Sequence, residues 1–240
     1  MNRMVERAAG EQLPTIGGEP LIRRIEAANL LGRGGAGFPV ARKWQTVKQL
    51  GDGHAVVLAN GAEGEPLSHK DRSLMAEQPH LVIDGALLAA GAVGARDIIF
   101  YVGTEHRTAV AAMRGALSER PERLVQDARL VEAPIGYVSG EESAAVHYVN
   151  TGDPRPTAAP PRPFERGVGG RPTLVQNVES LALAALIARR GHAWYAGLGQ
   201  GQARGLGLIT VSGAVNHAAV QEIGLLLTGG GCRHCWRPPT

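Results

Sequence analysis

The chain is poor in cysteine, in aromatic residues and in long apolar runs, and each shortage excludes a class of function. Its only two cysteines, Cys232 and Cys235, fall close to the C-terminal residue, so no disulfide framework runs through the body of the protein. Their C-x-x-C spacing offers two thiolates to zinc or an iron–sulfur cluster, but four ligands are needed and no other cysteine exists in this sequence. Three Trp, four Tyr and three Phe leave little for base stacking, and a formal net charge of +3 is too small and too scattered for nucleic acid. No run reaches the roughly 18 apolar residues of a membrane span. Residues Met1 to Arg7 lack the apolar centre of a signal peptide. The expectation is a cytoplasmic, reducing environment without direct membrane insertion. The eight histidines show no H-x-x-x-H spacing, so no metal site is expected, and no G-x-S-x-G elbow is present.

Glycine, by contrast, is abundant, and the most informative stretch is Gly32-Arg33-Gly34-Gly35-Ala36-Gly37-Phe38-Pro39. A backbone nearly free of Cβ atoms accepts positive φ and lets a ligand approach closely. Exposed N–H groups in such a loop form an anion-binding concavity, with Arg33, Arg42 and Lys43 expected to add positive charge beside it. A flexible surface loop is the plainer alternative. Gly32, Gly34 and Gly37 satisfy G-x-G-x-x-G, yet the residues before them recur at helical spacing from Leu21 to Leu31. A helix over about 20–31 leading into the loop is the wrong context for an ordinary Rossmann turn.

Further along, continuous apolar runs predict buried strands at Ala55–Asn60 and Asp97–Val102, and Ala128–Glu132 reads as a third strand. Between them the spacing predicts helices over about 79–95 and 105–119. This alternation argues for an α/β protein with a parallel, helix-covered sheet. Strand one ends in Asn60-Gly61-Ala62-Glu63-Gly64-Glu65-Pro66, at the edge where open α/β sheets place ligands. Gly136 to Ser143 reads as a tight loop opening a helix to about Asn150. Pro154 to Pro172 is too rich in proline for regular structure. An apolar helix is predicted over 177–190, and Leu206–Gly213 reads as a strand of a new unit.

Two acidic clusters stand out, Glu63 with Glu65 and Glu141 with Glu142. Paired carboxylates suit acid–base work, metal ligation or hydrogen bonds to ribose and flavin edges. Glu141 and Glu142 equally suit a helix N-terminus, whose dipole favours negative charge, and Glu63 and Glu65 equally suit a solvated loop.

Taken together, four segments resemble the flavin-carrying, NADH-oxidising subunit of respiratory complex I and the related flavoproteins of NAD-reducing hydrogenases and formate dehydrogenases. They are Gly32 to Pro39 with Lys43-Trp44, Asn60 to Pro66 with Lys70-Asp71-Arg72, Gly140-Glu141-Glu142, and Pro172 to Glu179. The resemblance implies a Rossmann-like FMN-binding domain over 20–203, after an N-terminal arm at 1–19 and before an incomplete ubiquitin-like β-grasp unit at 204–240. It further implies that Gly32, Gly34 and Lys43 cradle FMN, with Asn60 and Glu63 bonding the flavin. Tyr137, Gly140 and Glu141 are implied beside it and Asn177 on the phosphate side. Phe38, Glu65 and Glu142 match positions that contact NADH. Hydride passes to flavin N5 in that family, and the electrons leave one at a time to iron–sulfur clusters, so the expected recipient here is an iron–sulfur partner protein or a soluble acceptor. Peripheral attachment to the cytoplasmic side of a membrane complex follows from the same resemblance.

Some positions depart from the family pattern. Ala62 stands where an aspartate is usual, Thr46 and Arg162 where aromatic residues sandwich adenine, and Ser139 where cysteine is common. The family's [4Fe–4S] domain has no counterpart within this sequence, and the glycine-rich tail suggests truncation. The alternative expectation is a non-catalytic or decayed flavin-fold module that serves binding or assembly.

Overall fold

A computed structural model describes residues 13–199 and 205–225. Cys232 and Cys235, the first twelve residues of the expected arm and the end of the expected β-grasp unit lie outside the described residues. The glycine-rich loop is held between two helices. In α1 (Gly18–Ala27), Leu21, Ile22 and Ile25 are buried. This helix stops short of the predicted Leu31, because Asn29 adopts φ +51 and Leu31 instead forms an antiparallel bridge with Pro39. Gly32 N–H donates to Phe38 O at 2.9 Å and Val40 N–H to Leu30 O at 3.0 Å, so the loop is closed at its neck. α2 (Val40–Gly51) follows and buries Val40, Ala41, Trp44 and Val47. The sequence pattern does not separate this helix from the loop.

The chain then runs through β1 (Ala55–Gly61), α3 (Lys70–Glu77), α4 (Pro79–Val93), β2 (Ala95–Gly103), α5 (Arg107–Ser118), a short α6 (Arg123–Gln126) and β3 (Arg129–Ala133). A 3-10 turn at Tyr137–Gly140 leads into α7 (Glu142–Thr151). The proline-rich stretch is irregular but for a second such turn at Val168–Gly170. Then come β4 (Thr173–Asn177), α8 (Val178–Arg190), α9 (His192–Ala196), β5 (Leu206–Val211) and β6 (Ala219–Gly224).

Four strands form one sheet, parallel as the strand–helix alternation predicted, in the order β3-β2-β1-β4. β1 is central and nearly wholly buried. Alternation divides its side chains: Val57 and Ala59 join a core with α4 and α8, whereas Val56 and Leu58 pack with Ala145 and Val146 of α7. Each fully buried aliphatic side chain contributes about 1.5–3 kcal/mol of transfer free energy. β4 was not anticipated, since it is short and carries Thr173 and Gln176. It forms because it completes the ladder on the open edge of β1.

α4 crosses α8 so closely that a Cβ on Gly85 would stand 2.1 Å from Leu181 O. Beside this contact, buried Asp84 pairs with Arg120 at 2.7 Å and Arg189 at 2.5 Å, tying α4 to α8 and to the end of α5. β5 and β6 make a separate antiparallel pair. Among the described residues no helix is long and apolar enough to cross a membrane.

Candidate functional site

Successive strands β1, β2 and β3 are added in one direction, and β4 then joins the other side of β1. Loops leaving β1 and β4 therefore diverge, and the crevice at their C-terminal ends is where open sheets of this kind bind ligands. Asn60, next to last in β1, and Asn177, last in β4, are paired in register. Asn60 Nδ2 donates to Gly140 O at 2.8 Å, and its Oδ1 accepts from Ala62 N–H at 3.2 Å. Asn177 Oδ1 caps α8 by accepting from Glu179 N–H at 3.0 Å, while its Nδ2 donates to Asp71 Oδ2 at 2.8 Å. Both amides are thereby fixed in orientation.

The glycine-rich loop lies against this crevice. A Cβ on Gly34 would come 3.5 Å from Asn177 Cβ, and Gly35 and Gly37, at φ +99 and +63, have nothing within 4 Å of that position. Residues 34–38 are exposed. On the far wall, the loops after β1 and β3 press together: a Cβ on Gly64 would meet Tyr137 O at 2.1 Å, and one on Gly140 would meet Ala62 O at 2.7 Å. An open glycine backbone, two fixed amides and nearby carboxylates match the donor and acceptor needs of a phosphorylated flavin. The residues present fit FMN.

Charged groups rim the crevice. Lys43 Nζ and Glu142 Oε2 form an ion pair at 2.8 Å that joins α2 to the first turn of α7. Tyr137 donates its hydroxyl proton to Glu65 Oε1 at 3.1 Å, and the carboxylate raises the phenol above its usual range. Phe38 is half exposed at the loop's neck. Of the two readings left open for Glu141, its contacts match the helix terminus: it caps α7, accepting from the N–H groups of Ser143 and Ala144 at 2.8 and 3.0 Å. Glu63 is likewise engaged in capping, taking Asp71 N–H at 3.0 Å, Arg72 N–H at 3.3 Å and Ser68 Oγ at 2.7 Å at the start of α3.

Arg33 departs from expectation. Its guanidinium does not flank the loop's outer face but turns inward, donating to Tyr195 Oη at 3.1 Å and Leu206 O at 3.0 Å. Sequence reasoning also gives no individual role to Lys70, Asp71 and Glu179. Lys70 Nζ lies 2.7 Å from Asp71 Oδ1 and 3.0 Å from Glu179 Oε2. Burial raises Asp71 to about 6, opposed by Lys70 and reinforced by the charge of Glu63. Burial works against the charge on Lys70, but Asp71 and Glu179 outweigh it, and Lys70 rises. For Glu179 the available signal was a charged residue at the start of an apolar helix, between Val178 and Leu181, whereas Asp71 sits between Lys70 and Arg72 with no such signal.

The departing positions have local partners or none of the expected aromatic character. Thr46 Oγ1 donates to Arg42 O of its own helix, Ser139 Oγ to Gly136 O, and Arg162 is exposed in the proline-rich stretch.

Comparison with known proteins agrees with this geometry. A family model described as the Nuo51 FMN-binding domain matches residues 25–185. The chain is 35% identical over 237 residues to a subunit of the NADH-quinone oxidoreductase of Rhodobacter capsulatus, covering 90% of this chain and 55% of that protein. It is 33% identical over 217 residues to the mitochondrial NADH-ubiquinone oxidoreductase 51 kDa subunit of Neurospora crassa, covering 84% and 44%. A crystal structure of an NAD+-reducing [NiFe]-hydrogenase in the H2-reduced state superposes with a TM-score of 0.76 at 35% identity, over 85% of this chain and 36% of that one. The chain thus spans about half the length of the curated relatives it matches.

Proposed function

The chain belongs to the Nuo51 FMN-binding domain family, and from that premise we propose that it binds FMN, oxidises NADH and hands the electrons to an iron–sulfur partner. The observation that carries this reading is the approach of Gly34 of the glycine-rich loop to Asn177, which is paired in register with Asn60 at the reversal point of the sheet. FMN supplies the chemistry when bound, accepting a hydride at N5 and releasing electrons singly.

The protein binds, orients and excludes. Gly32 and Gly34 cradle FMN with the loop backbone, and Lys43 offsets the charge of its phosphate from the first turn of α2. Asn60 and Glu63 hold the flavin edge, with Tyr137, Gly140 and Glu141 along the opposite wall and Asn177 at the phosphate side. Phe38, Glu65 and Glu142 line the open mouth, where the nicotinamide enters. In this reading residues 20–203 are the flavin domain, and the β5–β6 pair begins a β-grasp unit. The test is to load the chain with FMN and add NADH without oxygen. Bleaching of the flavin bands supports the reading, and persistence of the bands refutes NADH oxidation.

A second reading, a flavin module that does not oxidise NADH, draws on Thr46 and Arg162. Neither offers an aromatic face for adenine, and the Thr46 hydroxyl is spent on its own helix. The same anaerobic experiment separates the two.

A further inference from the structure

A two-stranded sheet leaves an outer edge on each strand, and exposed strand edges are normally covered or blunted. The outer edge of β5 is covered by side chains from the flavin region. Leu206 O accepts from Arg33 Nη2 at 3.0 Å, and Leu208 N–H donates to Glu179 Oε1 at 2.8 Å. Further along the strand, Thr210 Oγ1 accepts the N–H of His69 at 2.8 Å, just before α3. Gly207 lies between the first two contacts, and a Cβ there would touch Glu179 Oε1 at 3.4 Å and Arg33 Cζ at 3.7 Å. The strand passes directly over this charged pair.

Arg33 belongs to the glycine-rich loop itself. Its backbone N–H donates to Ser180 Oγ at 2.9 Å in the first turn of α8, and its Nη2 also donates to Tyr195 Oη at 3.1 Å. Its Nε lies 4.0 Å from Glu179 Oε1. Glu179 is buried, and Lys70 approaches its other oxygen at 3.0 Å. One carboxylate thus meets the loop, α3 and β5 together. Arg33 and Glu179 face each other only as an ion pair, but each makes charge-assisted hydrogen bonds to β5, Arg33 Nη2 to Leu206 O and Glu179 Oε1 from Leu208 N–H, and such bonds are directional and stronger than neutral ones. Four glycines in a short loop hold no shape by themselves. An external anchor is needed wherever the loop must present a fixed set of N–H groups.

We propose that Arg33 and Glu179 are positioning residues, which fasten the glycine-rich loop to α8 and the β5–β6 hairpin and so set the loop shape that FMN meets. This inference rests on the FMN-binding reading above. Neither side chain needs to touch the cofactor. Because coupling free energies are reciprocal, FMN at the loop must tighten the docking of β5–β6 by the same factor that docking tightens FMN.

The experiment uses the full chain and two readouts: FMN affinity from quenching of its fluorescence, and hydrogen exchange of the β5–β6 amides with and without FMN. Arg33→Gln is expected to weaken FMN by roughly the ten- to hundredfold that loss of an outer-shell partner costs at metal sites. It is also expected to abolish the slowing of β5–β6 exchange that FMN produces in the wild type. Tyr195→Phe removes one acceptor of Arg33 at a distance from the crevice and preserves packing. It is expected to weaken FMN less, in the same direction, and it answers the question should Arg33→Gln fail to fold. A purely structural role would lower the melting temperature of these variants while leaving the affinity of the folded chain at the wild-type value. That result, or β5–β6 exchange indifferent to FMN in the wild type, overturns the proposal and leaves the FMN reading standing. A wild-type chain that refuses FMN overturns both.

Discussion

Asn60 and Asn177 stand opposite each other at the ends of two adjacent parallel strands, β1 and β4, where the order of strand addition reverses. One amide is bonded to the loop that follows β3, the other to the buried carboxylate of Asp71. The pair therefore links both walls of the crevice to the polar cluster beneath it.

Lys43, the cation proposed to offset the FMN phosphate, is paired with Glu142 of α7. Lys43→Ala is expected to weaken FMN by about tenfold or more, since a hydrogen bond to a charged group is worth about 1.5–3 kcal/mol. Fluorescence titration with FMN measures it, and an unchanged affinity would remove Lys43 from the site.

Glu65 accepts the Tyr137 hydroxyl at the mouth, away from the glycine-rich loop. Glu65→Gln is expected to retain FMN while raising the KM for NADH by about tenfold, the factor that corresponds to about 1.4 kcal/mol. Steady-state kinetics with an artificial acceptor, alongside flavin occupancy, separates this outcome from loss of the cofactor.

Asp71 gives a pH prediction. Its folded value of about 6 lies above the ordinary 3.8, so its stabilising contribution is complete below about 3.8 and is lost as pH rises through about 6. Asp71→Asn removes that titration. The stability of the variant relative to the wild type is expected to rise between pH 4 and pH 6.5, by at most about 3 kcal/mol over the whole window. Urea unfolding at the two ends of the window checks this, and a relative stability that falls with pH would show that the burial of Asp71 does not dominate.

Gly85 and Gly91 lie on the same helix, α4, in opposite circumstances. A Cβ at Gly85 would collide with Leu181 O, whereas at Gly91 nothing lies within 4 Å. Gly85→Ala is expected to destabilise by about 1–3 kcal/mol or more through overpacking. Gly91→Ala is expected to stabilise by roughly 0.5–1 kcal/mol from helix propensity alone. Thermal melts of both variants test the α4–α8 crossing directly.

Much of this arrangement was legible in the sequence, for physical reasons that differ by element. β1 and β2 were visible because a strand buried on both faces must be apolar throughout. β4 was not, since Thr173 to Asn177 becomes a strand only by pairing with β1, and its residues show no pattern of their own. α2 was hidden behind the loop it follows, its apolar face spread among Arg42, Lys43, Gln45 and Lys48. The glycine-rich loop was legible from composition. The direction of the Arg33 side chain was not, because its partners Tyr195 and Leu206 lie far along the chain. The double role of Glu141, helix cap or ligand, was left open by spacing, and only its contacts with Ser143 and Ala144 show what it holds.

FMN is expected in the crevice between the glycine-rich loop and Asn177. Equilibrium dialysis of FMN against the wild-type chain and Gly34→Val tests it most directly, because Gly34 is where a side chain would enter the space beside Asn177. One FMN per wild-type chain and none for a folded Gly34→Val chain is the expected result. Equal binding by the two, or no binding by the wild type, would contradict it.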